Sequence, residues 1–385
     1  MSPQRPELAF PTDLLRPDLR GFAGYSSART SSPTGTGTAD RIWLNANESG
    51  VANPADSSGA SRRYPDPQPA EVVEAFADLW ATTPDRVVVG RGSDEAIELL
   101  VRSLCRPGGD GVVVTSPTFG MYAVSARLHG VPVVDVPQVD DGLRWHVDTA
   151  AVARAAREQG ARVVFLASPG NPTGSVVPLR EVARLAEELA DQAVVVVDEA
   201  YGEFAAQRSA VTLLEEHPTL VVLRTRSKAH ALAGARVGIA LAHPDLTAVL
   251  RRVQAPYPLP EPVTGLALRA LAPEALQATG EHVGEVLRLR DEVGRWLRDL
   301  PEVGTVYASE ANFFLVRCDD PDGLLQTLAA AGIVVRDMRH LPGLHDALRI
   351  TIGTGPEMSA LRGALADRPT PRPTPRPTPT EETPA

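Results

Sequence analysis

Lysine is almost missing from this chain. Of 38 basic residues, every one is arginine except Lys228. Arginine can replace lysine in most ion pairs and on most solvated faces. Its guanidinium stays protonated, however, and forms no stable imine with an aldehyde, whereas a lysine amine can lose its proton and do so. Lys228 is therefore either a remnant of a biased composition or an amine the protein needs, and its neighbours must decide. Cysteine is scarce too: Cys105 and Cys318 lie far apart, in no metal-type or redox-type spacing, and are expected to be reduced thiols. There is no run of basic residues and the net charge is −10, which argues against a nucleic-acid surface. Apolar runs such as Ala193–Val197 are far too short to span a bilayer. Met1–Phe10 has neither a basic start nor an apolar core, so no secretion signal is expected and a cytoplasmic location follows.

What is present is a globular composition, 43% apolar over 385 residues, enough for two domains. Residues 1–40 are rich in Ser, Thr, Gly and Pro and read as an arm with a loop at Ser31–Thr38. Strand-like apolar runs follow at Arg86–Val89, Val112–Thr115, Val131–Val136, Val163–Ala167, Val194–Val197 and Leu220–Thr225. Helical spacing separates several of them, at Glu71–Trp80, Asp94–Leu104, Met121–Leu128, Thr149–Glu158 and Leu179–Ala190. Uniformly apolar strands alternating with helices predict an α/β fold, a parallel sheet covered on both faces. Its ligands should gather beyond the strands' carboxyl ends. A long helix from about Pro273 to Leu300 leads into a smaller α+β domain with strands near Asn312–Arg317 and Leu348–Ile352. We divide the chain into a large domain, 41–265, a small domain, 266–366, and a tail, 367–385. The tail's repeated Arg-Pro-Thr-Pro predicts an extended, solubilising segment, although a proline-recognising partner would also suit it.

The polar residues fall at the predicted strand ends. Asp198 follows four valines, where a carboxylate is costly unless it meets a cation. Tyr201 lies three residues on. Asn171 sits in Ser168–Gly174, a loop whose Pro and Gly residues fix its shape. Gly92, Ser93 and Asp94 open a helix whose free N–H groups could cradle an anion, and Ser227 and Arg236 flank Lys228 to complete that cradle. Taken singly, Asp198 could cap a helix, Tyr201 could be a core phenol and Asn171 a turn residue. Together they supply what pyridoxal 5′-phosphate requires: an amine for the imine, a carboxylate for the pyridine nitrogen, donors for the phenolic oxygen and a phosphate cradle.

Three strings, Arg224–Gly238, Ser168–Gly174 and Val196–Tyr201, closely resemble the fold-type I pyridoxal-phosphate aminotransferases, with Asn171, Asp198, Tyr201, Lys228 and Arg236 matching as a set. The resemblance runs from about Tyr25 to Ala366. It implies a mostly parallel seven-stranded sheet and a homodimer with its site at the subunit interface. By it, Tyr64 would reach the cofactor phosphate of the other subunit, and Phe119 would stack on the pyridine ring. Trp43–Glu48, Arg63–Pro69 and Ala255–Leu259 are most similar to the histidinol-phosphate aminotransferase family, which moves an amino group from glutamate to imidazole-acetol phosphate. That resemblance implies substrate roles for Tyr25, Asn47, Tyr257, Arg336 and Arg349. Arg349 suits the glutamate carboxylate. Arg336, with Tyr25 and Tyr257, suits the phosphate, although an arginine there could be a surface ion pair.

The chain also departs from that family. It reads Ser49-Gly50 after Glu48, has Phe119 where tyrosine is common, and has His230 in place of an apolar or aromatic residue. We read His230 as packing rather than as a base. Two rival activities use the same parts: an aromatic amino-acid aminotransferase, and a decarboxylase of phosphorylated amino acids.

Overall fold

The computed structural model describes residues 8–25 and 42–366. The expected Ser31–Thr38 loop and the 367–385 tail lie outside the described residues. Part of the arm is more ordered than its composition suggests. Residues 8–25 contain two short 3-10 turns, and Phe10, Leu14 and Leu15 are buried in the main core.

The large domain runs α1 (Ala70–Leu79), β1 (Val87–Arg91), α2 (Ser93–Leu104), β2 (Gly111–Val114), α3 (Met121–Leu128) and β3 (Val133–Asp135). A hairpin of β4 (Val139–Asp140) and β5 (Trp145–His146) follows, then α4 (Thr149–Glu158), β6 (Ala161–Ala167), α5 (Leu179–Glu188), β7 (Val194–Asp198) and β8 (Leu220–Thr225). It closes with β9 (Val237–Leu241), α6 (Pro244–Val253) and α7 (Glu261–Ala270). Seven strands form one sheet in the order β1-β9-β8-β7-β6-β2-β3. All pairings are parallel except those of β9, which runs antiparallel to both β8 and β1.

The alternation of side chains along each strand explains why both faces are covered. Val195, Val197, Val222 and Ile239 point into one layer with α1, α4, α5 and α7, while Val194, Val196, Val221 and Ala240 point into the other with α2, α3 and α6. Burying each such valine contributes about 1.5–3 kcal/mol. Four in succession make Val194–Asp198 a central strand, and Asp198 is carried to its end.

The smaller unit follows α8 (Pro273–Arg298). It comprises β10 (Val303–Val306), β11 (Phe313–Cys318), α9 (Pro321–Ala330), β12 (Arg336–Asp337), β13 (Ala347–Thr351) and α10 (Gly355–Ala366). Its antiparallel sheet has the order β10-β11-β13-β12 and buries one face against α8, α9 and α10. Helix α7 packs Ala267 into the large-domain core, so the passage between the cores is made at α8. No helix among the described residues is long and apolar enough to cross a membrane.

Candidate functional site

Strands β2, β6, β7 and β8 are neighbours and parallel, so their carboxyl ends lie side by side on one rim of the sheet. Because β9 is antiparallel between β8 and β1, its amino end and the carboxyl end of β1 reach the same rim. This order brings Phe119, Asn171, Asp198, Lys228, Arg236 and the start of α2 around a single cleft of about 590 Å³. The small domain roofs it with Arg336, Met338, His340, Leu341 and Arg349.

Asp198 is 4% exposed. The Tyr122 hydroxyl donates to its Oδ2 at 2.8 Å, and the Ala200 N–H donates to its Oδ1 at 3.1 Å. Burial pushes this carboxyl up to about 6, partly offset by those two donors. Across the cleft, burial holds the Lys228 amine below its ordinary range, and the positive charges of Arg349 and Arg236 add to the effect. An easily deprotonated amine that opens into the cleft and faces a buried carboxylate is what imine chemistry with a cationic heterocycle calls for. Lys228 Nζ sits 5.5 Å from the centre of the Tyr201 ring, whose phenol burial pushes up to about 12. Tyr201 meets Phe313 of the small domain edge-on, at 5.1 Å. Asn171 accepts a hydrogen bond from Arg349 on its Oδ1, which leaves the amide NH2 as the group it can offer to an acceptor in the cleft.

The expected anion cradle is shaped by close backbone approach. Gly92 adopts φ +78°, and a Cβ there would meet Arg236 Nη2 at 2.6 Å. A Cβ on Gly238 would sit 2.2 Å from the Gly92 carbonyl carbon and the Ser93 nitrogen. Only glycines let β9 lie against the first turn of α2, whose N-terminus has no side-chain cap. Arg236 holds a left-handed φ of +56° and donates to Asp94 at 3.0 Å and to Ser227 Oγ at 3.4 Å. Ser93, Asp94, Ser227 and Arg236 therefore form one polar rim beside Lys228.

The other expected residues fall elsewhere. Tyr64 stacks on Tyr257 at 4.7 Å and 17°. Asn47 and Tyr64 line a second cleft with Glu48, Arg62, Arg63 and Glu261. Tyr25 is 71% exposed. None of these four lines the Lys228 cleft of its own chain. Arg336 and Arg349 do, as cross-strand partners of β12 and β13. No carboxylate pairs with either among the described residues, and Arg349 lies over the Phe313 ring at 5.3 Å with its Nε buried and unpartnered.

Three features escaped the sequence reading. Tyr122 contacts Asp198 from 76 residues away. Arg224, Glu199 and Glu203 form a buried ion cluster behind Lys228. His230 joins that cluster, 3.4 Å from Glu203 and in hydrogen-bond contact with Arg226, outside the cleft lining. Arg224 and Glu199 lie inside two of the strings and Glu203 just beyond one, but local pattern does not mark them as buried together.

A family model for class I and II aminotransferases matches residues 28–365. The chain belongs to that family: it is a pyridoxal-phosphate-dependent aminotransferase of fold type I. Within the family it is similar to the histidinol-phosphate aminotransferases of Xylella fastidiosa (52% identical) and Stenotrophomonas maltophilia (54%). Each alignment covers 92% of this chain and 96% of the relative. Among solved structures it is similar to the histidinol-phosphate aminotransferase of Sinorhizobium meliloti in complex with pyridoxal-5′-phosphate. That likeness has a TM-score of 0.72 at 28% identity and covers 83% of this chain and 88% of the other. The enzyme of that name from Clostridium acetobutylicum shares the fold, at a TM-score of 0.71 and 21% identity over 80% and 91%. The residues present fit the cofactor. Among the described residues no cation pairs with the buried Asp198 carboxylate, which suits a ring nitrogen; glycines clear a cradle at a helix N-terminus without a side-chain cap, and the chain's one lysine stands between them.

Proposed function

We propose that this aminotransferase moves an amino group between glutamate and imidazole-acetol phosphate, giving histidinol phosphate for histidine biosynthesis, as a cytoplasmic homodimer. The observation that carries the reading is the pair of arginines roofing the cleft, Arg336 beside Arg349, with no carboxylate paired to either among the described residues. Two fixed cations opposite Lys228 suit a reaction in which one substrate brings a carboxylate and the other a phosphate. The names of relatives 52–54% identical over nearly the whole chain support the same choice.

In this reading the cofactor, when bound, supplies the electron sink and the aldehyde, and this chain's residues do the rest. Lys228 Nζ holds the cofactor and then, once free, takes the proton from the substrate Cα. Its depressed proton affinity keeps it able to accept. Asp198 holds the proton on the ring nitrogen. Tyr201 and Asn171 hold the phenolic oxygen, while Gly92, Ser93, Asp94, Ser227 and Arg236 hold the phosphate. Phe119 packs on the ring. Arg349 grips the glutamate carboxylate and Arg336 the substrate phosphate. The second cleft, with Asn47 and Tyr64, the exposed Tyr25 and the partly buried Tyr257 supply the neighbouring subunit's site, an arrangement supported by Ile42, Leu44 and Val51 standing exposed on the same segment.

The test is a half-reaction on purified, cofactor-loaded protein. The visible absorbance of the bound cofactor is followed after adding histidinol phosphate or phenylalanine separately. Fast loss with histidinol phosphate alone is expected, with recovery on adding 2-oxoglutarate. Loss mainly with phenylalanine would assign the enzyme to aromatic amino acids, and absence of recovery would indicate a decarboxylase.

A further inference from the structure

Among the described residues Asp198 accepts one side-chain hydrogen bond, from Tyr122. We propose that Tyr122 is a positioning residue for the cofactor: its hydroxyl fixes the Asp198 carboxylate in the orientation and ionised form that keep the pyridine nitrogen protonated. The inference rests on the pyridoxal-phosphate site and is independent of which substrate the enzyme takes.

The geometry leaves the hydroxyl little freedom. Tyr122 is 1% exposed. Its ring lies parallel on Phe165 at 4.7 Å and 2°, and Phe119 meets it edge-on at 5.6 Å and 85°. The ring is thus clamped by β6 on one side and by the segment before α3 on the other, with the oxygen aimed at Asp198 Oδ2. Burial, joined by the charge of Asp198, raises the phenol well above its ordinary range. It therefore stays a donor across the working pH range. The groups facing Asp198 are Tyr122 from α3, Asp94 from α2, Glu199 next in the chain, Tyr201, and Lys228 beyond β8. Asp94 and Glu199 favour protonating Asp198, as does its burial, and the Ala200 N–H and the Tyr122 hydroxyl oppose them. Removing the hydroxyl makes Asp198 the stronger base. The one proton shared by the ring nitrogen and the Asp198 carboxylate then shifts toward the carboxylate, leaving a larger share of neutral ring and neutral acid wherever the pair holds a single proton.

The experiment loads full-length enzyme with cofactor labelled with nitrogen-15 in the ring and follows the ring-nitrogen resonance with pH. Wild type, Tyr122→Phe, Asp198→Asn and the double variant are compared. A hydrogen bond to a charged acceptor is worth about 1.5 kcal/mol or more, so the nitrogen in Tyr122→Phe should lose roughly tenfold in proton affinity. On the Asp198→Asn background the same substitution should change it by less than about twofold, since coupling through Asp198 is then gone. An unchanged nitrogen in Tyr122→Phe would overturn the proposal, as would an equal loss on both backgrounds. Should Tyr122→Phe not fold or load, 3-fluorotyrosine at position 122 keeps the shape and is a stronger donor. It should raise the nitrogen's proton affinity, and no rise would count against the idea.

Discussion

The floor and the roof of the cleft are built on opposite principles. The floor comes from adjacent strand ends of one buried sheet, and its polar groups are tied to one another: Asp198 to Tyr122, Arg236 to Asp94 and Ser227. The roof comes from the edge of a four-stranded antiparallel sheet, where the two-residue β12 sets Arg336 beside Arg349 of β13. On the floor, burial drives a carboxyl up and an amine down, so both move toward their neutral forms. Burial lowers the proton affinity of Arg349 as well, but a guanidinium keeps its charge. The contrast teaches a division of labour. In the proposed reading, groups that exchange protons sit where desolvation tunes them, and groups that stay charged for a substrate sit on arginine. Lysine, whose amine burial can neutralise where a guanidinium stays charged, appears only on the floor.

Breaking the floor should give the largest effect. Lys228→Ala should slow the half-reaction on the order of 10⁴-fold in single-turnover absorbance measurements. Lys228→Arg should do no better, because the charge is restored but not the amine. Activity in Lys228→Arg near that of wild type would remove the contrast altogether. Next comes Asp198→Asn, which should act with opposite signs on two properties. Cofactor affinity should fall by roughly 10²–10³-fold, the cost of leaving a buried charge unpaired. The cofactor-free protein should gain stability. A buried carboxyl whose folded value lies near 6, above the ordinary 3.8, leaves folding favoured at low pH. That advantage is lost as pH rises from about 4 through 6. At pH 8 the loss is about 3 kcal/mol, and the amide avoids it. Urea unfolding of both apoproteins should show the variant more stable at pH 8 and equal near pH 4. Equal stability at both pH values would mean that the floor carries no desolvation cost.

The floor was also the more legible region. Val194–Val197 had to be a doubly covered strand, and a strand of that kind puts Asp198 at the carboxyl rim. The same logic located Asn171 and Lys228. What it could not show was β9. Its residues are as apolar as its neighbours', but Gly238 interrupts them and its direction is antiparallel. Arg236 was recognised by motif spacing alone, and the fold then explained why it reaches the cradle. Tyr122 was hidden for a different reason: at helical spacing it is a sound core residue, and it is one, with a hydroxyl whose partner is set by tertiary contact. The pairing of Arg224 with Glu199 likewise depends on strand order, which local pattern does not carry. On the roof, β12 is too short for any periodicity. Arg336 and Arg349 came from resemblance, and their adjacency came from the register of β12 on β13.

The roof's own division can be sharpened by its two arginines. Arg349 is half-buried, lies over Phe313 and faces Tyr201 and Lys228, whereas Arg336 is exposed at the mouth. Removing a bidentate guanidinium from a carboxylate at a partly desolvated position costs two charge-assisted hydrogen bonds. Arg349→Ala should therefore raise the glutamate dissociation constant about 10²-fold. Arg336→Ala should weaken histidinol phosphate by only about tenfold and leave glutamate within about twofold, because water screens an exposed pair. Salt separates the two further. Raising ionic strength from 0.05 to 0.5 M, about a threefold shortening of the screening length, should erode histidinol-phosphate affinity in wild type but much less in Arg336→Ala. Glutamate affinity should respond less steeply. Equal losses for both substrates in both variants would mean that the two arginines act as one site, and the assignment of phosphate to Arg336 would fall.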